Sequence, residues 1–370
     1  MELTPDSVRA IAFYLPQFHP IPENDKWWGP GFTEWRNVAN ARPQIKGHYQ
    51  PHVPADLGYY DLRLPETRVA QADLARHYGI HGFCYYHYWF NGRRILERPF
   101  EEVLEDGEPD FPFCLCWANE NWTRRWDGGD KEILLQQSYS AEDDRAHIES
   151  LIPAFRDPRY IRVNGKPVFL VYQTALLPNP AETASTWRKI VCEVGFDGLF
   201  LIHVENVTAA SWQKPIPDPR KIGFDAAIRF APDTRVLGRA LWNGRKYAPV
   251  RWLRMVESGY GLHMVHSYEN LVERTIQSET VEYPRYPCVA PSWDNTARRK
   301  QGATIYLGSD PAIYRRWVSH AVKHVKQNFA GDERLLFINA WNEWAEGCHL
   351  EPDIAFGHRY LEETKNALTE

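Results

Sequence analysis

The sequence predicts an α/β fold, a single (β/α)8 barrel over residues 1–370 with a long N-terminal loop across its C-terminal face. Three observations predict it. About eight short runs of β-branched and aromatic residues recur along the chain. Segments of helical periodicity separate them, and the first run leads into no glycine-rich phosphate turn.

Strands buried on both faces read as near-continuous apolar runs. The first is Ala10–Leu15, stopped by Pro16, and Gly82–Trp89, Phe111–Trp117 and Pro167–Tyr172 follow. Gly198–Val204, Phe224–Phe230, Cys288–Trp293 and Leu335–Trp341 complete the set. Leu64–Tyr78 has helical spacing at Val69, Ala72, Leu74 and Ala75, with Gly79 as the C-terminal stop. Ser140–Phe155 opens on Ser140-Ala141-Glu142-Asp143, a variant capping box. Pro180–Val194 ends at Gly195, and the amphipathic Pro311–Phe329 precedes the last strand. Alternation of this kind argues for a parallel sheet closed into a barrel. An open doubly wound sheet would carry a glycine-rich first turn where Leu15-Pro16-Gln17-Phe18-His19 stands. Residues 20–61 show turn signals and aromatics without periodicity, which predicts a large loop over the barrel mouth.

The bulk properties exclude several classes. A formal net charge of -5 gives no basic footprint, so nucleic acid is not a partner. Arg124-Arg125 and Arg298-Arg299-Lys300 are short and read as solvated faces. No run approaches the ~20 apolar residues of a membrane helix. The start lacks the basic and apolar regions of a secretory signal, which predicts a cytoplasmic protein, although a trimmed leader would leave the same picture. The six cysteines read as small buried hydrophobes in a reducing compartment. Nothing in the chain speaks to oligomeric state. Aromatics reach 14%, and many of the 15 tryptophans stand among polar residues, among them Trp27, Trp28, Trp117, Trp122, Trp126, Trp341 and Trp344. Rings with polar edges suit a ligand that is apolar on its faces and polar at its rim, as a sugar is.

In such a barrel the chemistry sits just beyond the C-terminal strand ends. Strand one offers Tyr14, Gln17 and His19, strand two Tyr86 and His87, strand three Trp117, Asn119, Glu120 and Trp122. Strand four offers Tyr172, and strand five His203 and Glu205. Strand seven offers Trp293, Asp294 and Asn295, strand eight Trp341, Asn342, Glu343, Trp344 and Glu346, and the loop adds Trp28. These are hydroxyl-binding groups, and an oligosaccharide or polysaccharide is the expected partner. Glycosidic cleavage needs one group to protonate the departing oxygen and another to assist from the sugar side. Glu343 and Glu346, three apart in a turn, can face one ligand as the catalytic pair. The bland alternative makes Glu346 an acid at a helix N-terminus. Glu120 is open between a substrate-binding carboxylate, the catalytic acid, and an ion-pair partner of Arg124 or Arg125. His48 and His52, with His19 and His87, read as hydroxyl-binding or core histidines, because the intervening Pro51 rules out helical spacing. Neither a metal nor a cofactor is expected.

Four runs carry a resemblance: Trp27-Trp28-Gly29 with Gly31-Phe32-Thr33-Glu34-Trp35, Gly82 to Phe90, Cys116 to Trp122, and Asn342-Glu343-Trp344-Ala345-Glu346-Gly347. Together they resemble the bacterial WbsX-type family over nearly the whole chain. That family is similar to glycoside hydrolase family 99, the endo-α-mannosidases and endo-α-mannanases. The resemblance implies a retaining mechanism without a sugar–enzyme bond. Glu343 would act as base on the substrate 2-hydroxyl, and Glu346 would protonate the leaving group and later activate water. Ala345 stands where the mannosidases commonly carry His, which puts their substrate in doubt but spares both carboxylates. Asp294-Asn295-Thr296 resembles their Asp-Asn-Thr stretch and implies a substrate contact.

Three functions stay open: a glycosidase of α-linked glycans, a glycosyltransferase of bacterial surface-polysaccharide biosynthesis, and a non-catalytic carbohydrate-binding barrel. The absence of an Asp-x-Asp motif and of a glycine-rich cradle favours the first over a nucleotide-sugar transferase. The presence of both glutamates argues against the third.

Overall fold

The computed structural model describes residues 7–124, 129–206, 217–236, 240–243, 262–278 and 280–370. Eight parallel strands close on themselves: β1 (Arg9–Tyr14), β2 (Ile80–Phe90), β3 (Phe113–Trp117), β4 (Lys166–Val171), β5 (Phe200–Val204), β6 (Ala226–Arg229), β7 (Arg285–Val289) and β8 (Leu335–Ile338). Each pairs with the next, and β8 returns to β1 with Ala12 opposite Ile338. This is the (β/α)8 barrel that the alternating pattern predicts.

The strands are buried along nearly their whole length, which explains their continuous apolar character. Phe13 occupies the interior, with ring centroids 5.5 Å from Tyr86, 5.3 Å from Phe230 and 5.9 Å from Phe337. Gly82 stands where β2 nears the chain entering β3. A Cβ there would lie 2.5 Å from the Pro112 carbonyl oxygen, so only glycine fits.

The helical layer comprises α1 (Pro22–Trp28), α2 (Trp35–Asn40), α3 (Pro65–His77), α4 (Arg98–Asp106), α5 (Ala141–Arg156), α6 (Pro180–Glu193), α7 (Tyr268–Ile276), α8 (Pro311–Asn328) and α9 (Arg359–Thr369). Ser140 caps α5 by accepting from the Asp143 amide, and Asn179 and Asp310 cap α6 and α8. Such caps contribute about 1 kcal/mol each. Of residues 20–61, Asn24, Trp27 and Trp28 line the cavity mouth, while the segment contains α1 and α2 rather than irregular chain alone. Among the described residues no helix is long and apolar enough to cross a membrane. A small outer sheet pairs Met264–Ser267 with Thr304–Leu307 beside the connection that follows β7.

Candidate active site

A cavity of about 270 Å³ opens at the C-terminal end of the barrel. Its walls are Trp27, Trp28 and Asn24 from α1, Tyr86 and Tyr88 from β2, Trp122, Tyr172 and Phe230. Its polar lining includes Gln17, Glu120, Asn121, Asn339, Arg298, Glu343 and Glu346. Of the residues proposed from sequence, Gln17, Trp28, Tyr86, Glu120, Trp122, Tyr172, Glu343 and Glu346 meet here. Arg125 and Trp126 lie outside the described residues, as does the Arg124 side chain, and with them the ion-pair alternative for Glu120.

Glu343 and Glu346 share one partner. Arg298 Nη2 donates to Glu343 Oε1 at 2.8 Å, and its Nη1 stands 3.0 Å from Glu346 Oε1. The same guanidinium also binds Glu34, which accepts from Gln17 Nε2 at 3.0 Å. Arg298 is therefore a buried hub of three carboxylates, not the solvated surface cation that its basic neighbours suggest. Burial pushes the Glu343 carboxyl well above the usual carboxylate range, and Glu346 and Glu34 add to the rise against the pull of Arg298. Burial lowers the Arg298 pKa, but the three glutamates more than reverse that, so it stays charged.

The loops beyond β7 and β8 are knitted together to hold this hub. The Asp294 amide donates to the Glu346 carbonyl at 2.7 Å, and Ser292 Oγ donates to the Gly347 carbonyl. Asp294 then caps the short turn Asn295–Ala297 through the Thr296 amide, which delivers Arg298 to the cavity. Its other oxygen binds His48 Nε2 and Gln50 Nε2, both at 2.5 Å. Burial would raise the Asp294 pKa, but these bonds hold it below its ordinary value. Gly347 adopts φ 55°, and a Cβ there would meet Asp294 and His52 at 3.3 Å.

Thirteen other proposed residues do not line the cavity; for Tyr14, His87, Trp117 and His203 the reason is strand pleat, and the rest are engaged in the loops beyond the strands. Tyr14 turns outward to Gln71 on α3, donating at 2.7 Å. His87 faces α5, its Nε2 3.0 Å from that of His147. Trp117 packs on His147 and Trp187, and Trp341 on Phe83. Trp344 donates to buried Glu351 at 2.6 Å. Burial, opposed by hydrogen bonds from Gln71, Trp344 and Tyr60, pushes the Glu351 carboxyl up to about 7. His19 is buried beside Asp61, and His203 pairs with Thr174 Oγ1 at 2.6 Å. Glu205 is taken by Tyr283, Arg235 and Arg285. Trp293 packs against the core, and Asn295 Oδ1 accepts from the Thr304 amide, so with Asp294 this stretch builds the scaffold behind the cavity.

Asn119 and Asn342 are structural in a matched way. Asn342 Oδ1 accepts from the Leu15 amide at 2.8 Å, and its Nδ2 donates to the Leu15 carbonyl at 3.1 Å. Asn119 makes the same two bonds to Gln173, at 2.8 and 2.9 Å. Each asparagine clamps the neighbouring chain, and the glutamate that follows it, Glu120 or Glu343, reaches the cavity.

Over residues 10–364 the chain matches the family described as Glycosyltransferase WbsX. Two curated relatives, each named "Uncharacterized protein WxcX", come from Xanthomonas campestris pv. campestris strains B100 and ATCC 33913. Both are 45% identical over 359 residues, 97% of this chain. The chain spans about half the length, 49%, of these relatives. Among solved structures, the GH99 endo-α-mannosidase from Bacteroides thetaiotaomicron superposes with TM-score 0.56 at 16% identity, covering 98% of this chain and 96% of that one. A "Glycoside hydrolase-like protein" gives TM-score 0.58 at 14% identity, covering 98% and 94%. At these identities the likeness concerns the fold.

Proposed function

The chain belongs to the Glycosyltransferase WbsX family, and from that premise we propose that it is a glycan-active enzyme that cleaves α-linked glycosidic bonds with retention, using Glu343 and Glu346. The observation that carries this reading is the convergence of both carboxylates on one guanidinium inside a cavity walled by indole and phenol rings. In the reaction Glu343 takes the proton of the sugar 2-hydroxyl while that oxygen attacks the anomeric carbon. The bond to the leaving oxygen breaks as Glu346 delivers its proton there. Water then opens the epoxide-like species, giving one proton to Glu346 while Glu343 returns its own to O2. Glu343 is the deeper of the two, 9% exposed against 21% for Glu346, and in its ionised form, held by the Arg298 guanidinium, it takes the 2-hydroxyl proton.

The family's description as glycosyltransferases favours a second reading, transfer from an activated donor. Against a nucleotide-sugar donor stands the charge of the cavity. Among its described lining residues are three carboxylates and one guanidinium already bridged to two of them, which is a poor cradle for a diphosphate. The test is purified protein on α-mannan and bacterial surface polysaccharides, with and without nucleotide-sugars, beside Glu343→Gln and Glu346→Gln. Hydrolysis predicts sugar release without a donor, lowered by about 10²–10⁴ in either variant. Turnover only with a nucleotide-sugar would establish transfer. Binding without turnover, unchanged in both variants, would leave a carbohydrate-binding barrel.

A further inference from the structure

We propose that His52, His349 and Asp353 form a binding site for a divalent transition metal, best suited to Zn2+, that staples the N-terminal segment to the chain just beyond Glu346. The site lies outside the cavity lining and is independent of the reaction assigned there. His52 arrives from the segment after α2, and His349 and Asp353 follow the turn that carries the two glutamates. All three are buried, with one donor atom each lying within 4.8 Å of the others. Among the described residues no other three His, Cys, Asp or Glu side chains meet this closely.

The geometry is close to that of a metal shell. His52 Nδ1 stands 2.8 Å from His349 Nε2, and His349 Nε2 stands 3.8 Å from Asp353 Oδ2. A tetrahedral shell with bonds of ~2.0–2.1 Å has edges of about 3.3–3.4 Å, between those two separations. Those two edges need adjustments of about half an ångström, and the third, from His52 to Asp353 and within 4.8 Å, needs at most about 1.4 Å to bring all three donors onto one ion. The imidazole of His349 is already oriented for this. Its Nδ1 lies 2.8 Å from the Glu351 carbonyl and carries the proton, which leaves the Nε2 lone pair facing His52 and Asp353. That outer hydrogen bond is how proteins fix the tautomer of a metal-binding histidine. Trp344 stacks on the same ring at 3.6 Å, and Tyr49 covers His52 at 4.2 Å. Two imidazoles and a carboxylate match the ligand preference of zinc. The rival account is a plain hydrogen bond from His52 Nδ1 to His349 Nε2, with Asp353 held by the Phe356 amide and the Tyr49 hydroxyl, and Zn2+ retention decides between the two.

The full chain is incubated with Zn2+, dialysed into metal-free buffer and analysed for metal by plasma mass spectrometry, with melting temperature followed with and without chelator. The proposal expects about one equivalent retained, a melting temperature that rises with Zn2+ and falls with chelator, and visible d–d absorption after Co2+ substitution. Asp353→Asn, which keeps the side-chain shape, and His52→Gln should each lower Zn2+ affinity at least about tenfold while the circular dichroism spectrum is kept. Wild-type protein that is folded yet retains under about a tenth of an equivalent, with a melting temperature indifferent to Zn2+ and chelator, overturns the site. Retention that survives both substitutions overturns it equally. Sugar release at Glu343 and Glu346 is a separate readout, so failure here leaves the proposed reaction untouched.

Discussion

Replacing Arg298 by Gln removes the one cation that three carboxylates share, and the cost can be worked from the contacts. Charges about 4 Å apart at an effective dielectric near 20 attract by about 4 kcal/mol per pair, and Arg298 serves Glu34, Glu343 and Glu346. Mutual repulsion among the carboxylates and uptake of protons absorb part of the loss. Removing one partner from a buried ion network costs about 3–5 kcal/mol. The deficit must depend on pH with a definite sign. Without the cation, the folded-state pKa of Glu343, already raised by burial, rises further above its unfolded value. A carboxyl raised in this way contributes stability below its unfolded pKa and loses it as pH climbs through the folded one. Urea unfolding of wild type and Arg298→Gln should therefore show a small difference near pH 4.5 and the full 3–5 kcal/mol, roughly, by pH 8. Arg298→Lys restores the charge without the fork and should recover only part. A deficit equal at both pH values, or below about 1 kcal/mol at pH 8, would show that the guanidinium is not the electrostatic hub of the site.

Burial holds His87 down to about 3 and His203 to about 4, both below an unfolded value near 6.5. Groups lowered in this way lose stability as pH falls, by about 1.4 kcal/mol per unit for each histidine, so the urea midpoint should drop between pH 6.5 and 4.5, and a flat midpoint would refute it. Asn342→Ala strands the buried Leu15 amide and carbonyl and should cost about 1–3 kcal/mol, read as a lower urea midpoint together with faster exchange of the Leu15 amide. Gly82→Ala forces a methyl against the Pro112 carbonyl and should destabilise by about 1–3 kcal/mol, with no effect expected on a cavity it does not line; calorimetry that finds it neutral would place β2 and the chain before β3 farther apart.

The barrel was legible because most of its strands are compact apolar runs and several helices announce themselves by a cap; β7 is the exception, since it opens on Arg285-Tyr286-Pro287 and the expected run, Cys288–Trp293, overlaps it by two residues. Ser140, Asn179 and Asp310 each sit one residue before a helix and accept from its first turn. The expectation did not include α4, α7 and α9, although Ser267 caps α7 by accepting from the Asn270 amide and Gly107 closes α4. The site was legible in its carboxylates and less so in its walls. Within a strand, successive side chains face opposite ways, so proposing both Tyr86 and His87 as ligand contacts ignores the pleat. Once Tyr86 is inside, Tyr88 must be inside and His87 must meet the helices, as they do. The same count separates Glu120 from Asn119 and Trp117. It does not reach Arg298, nine residues beyond the end of β7, whose place depends on the Asp294-capped turn.

The Asn-Glu pairs at the ends of β3 and β8 show why the carboxylates are where they are. An asparagine turned away from the cavity finds the backbone of the next strand's end, and its amide satisfies both a donor and an acceptor there. The following residue, on the opposite side, then has no direction left but inward. For Glu343 that neighbour is Leu15, just past β1, so the position of the proposed base is tied to the seam where the last strand meets the first. Loosening the seam should move Glu343 relative to Arg298 before it unfolds the barrel, which makes ring closure part of the site's geometry as well as of the fold's stability.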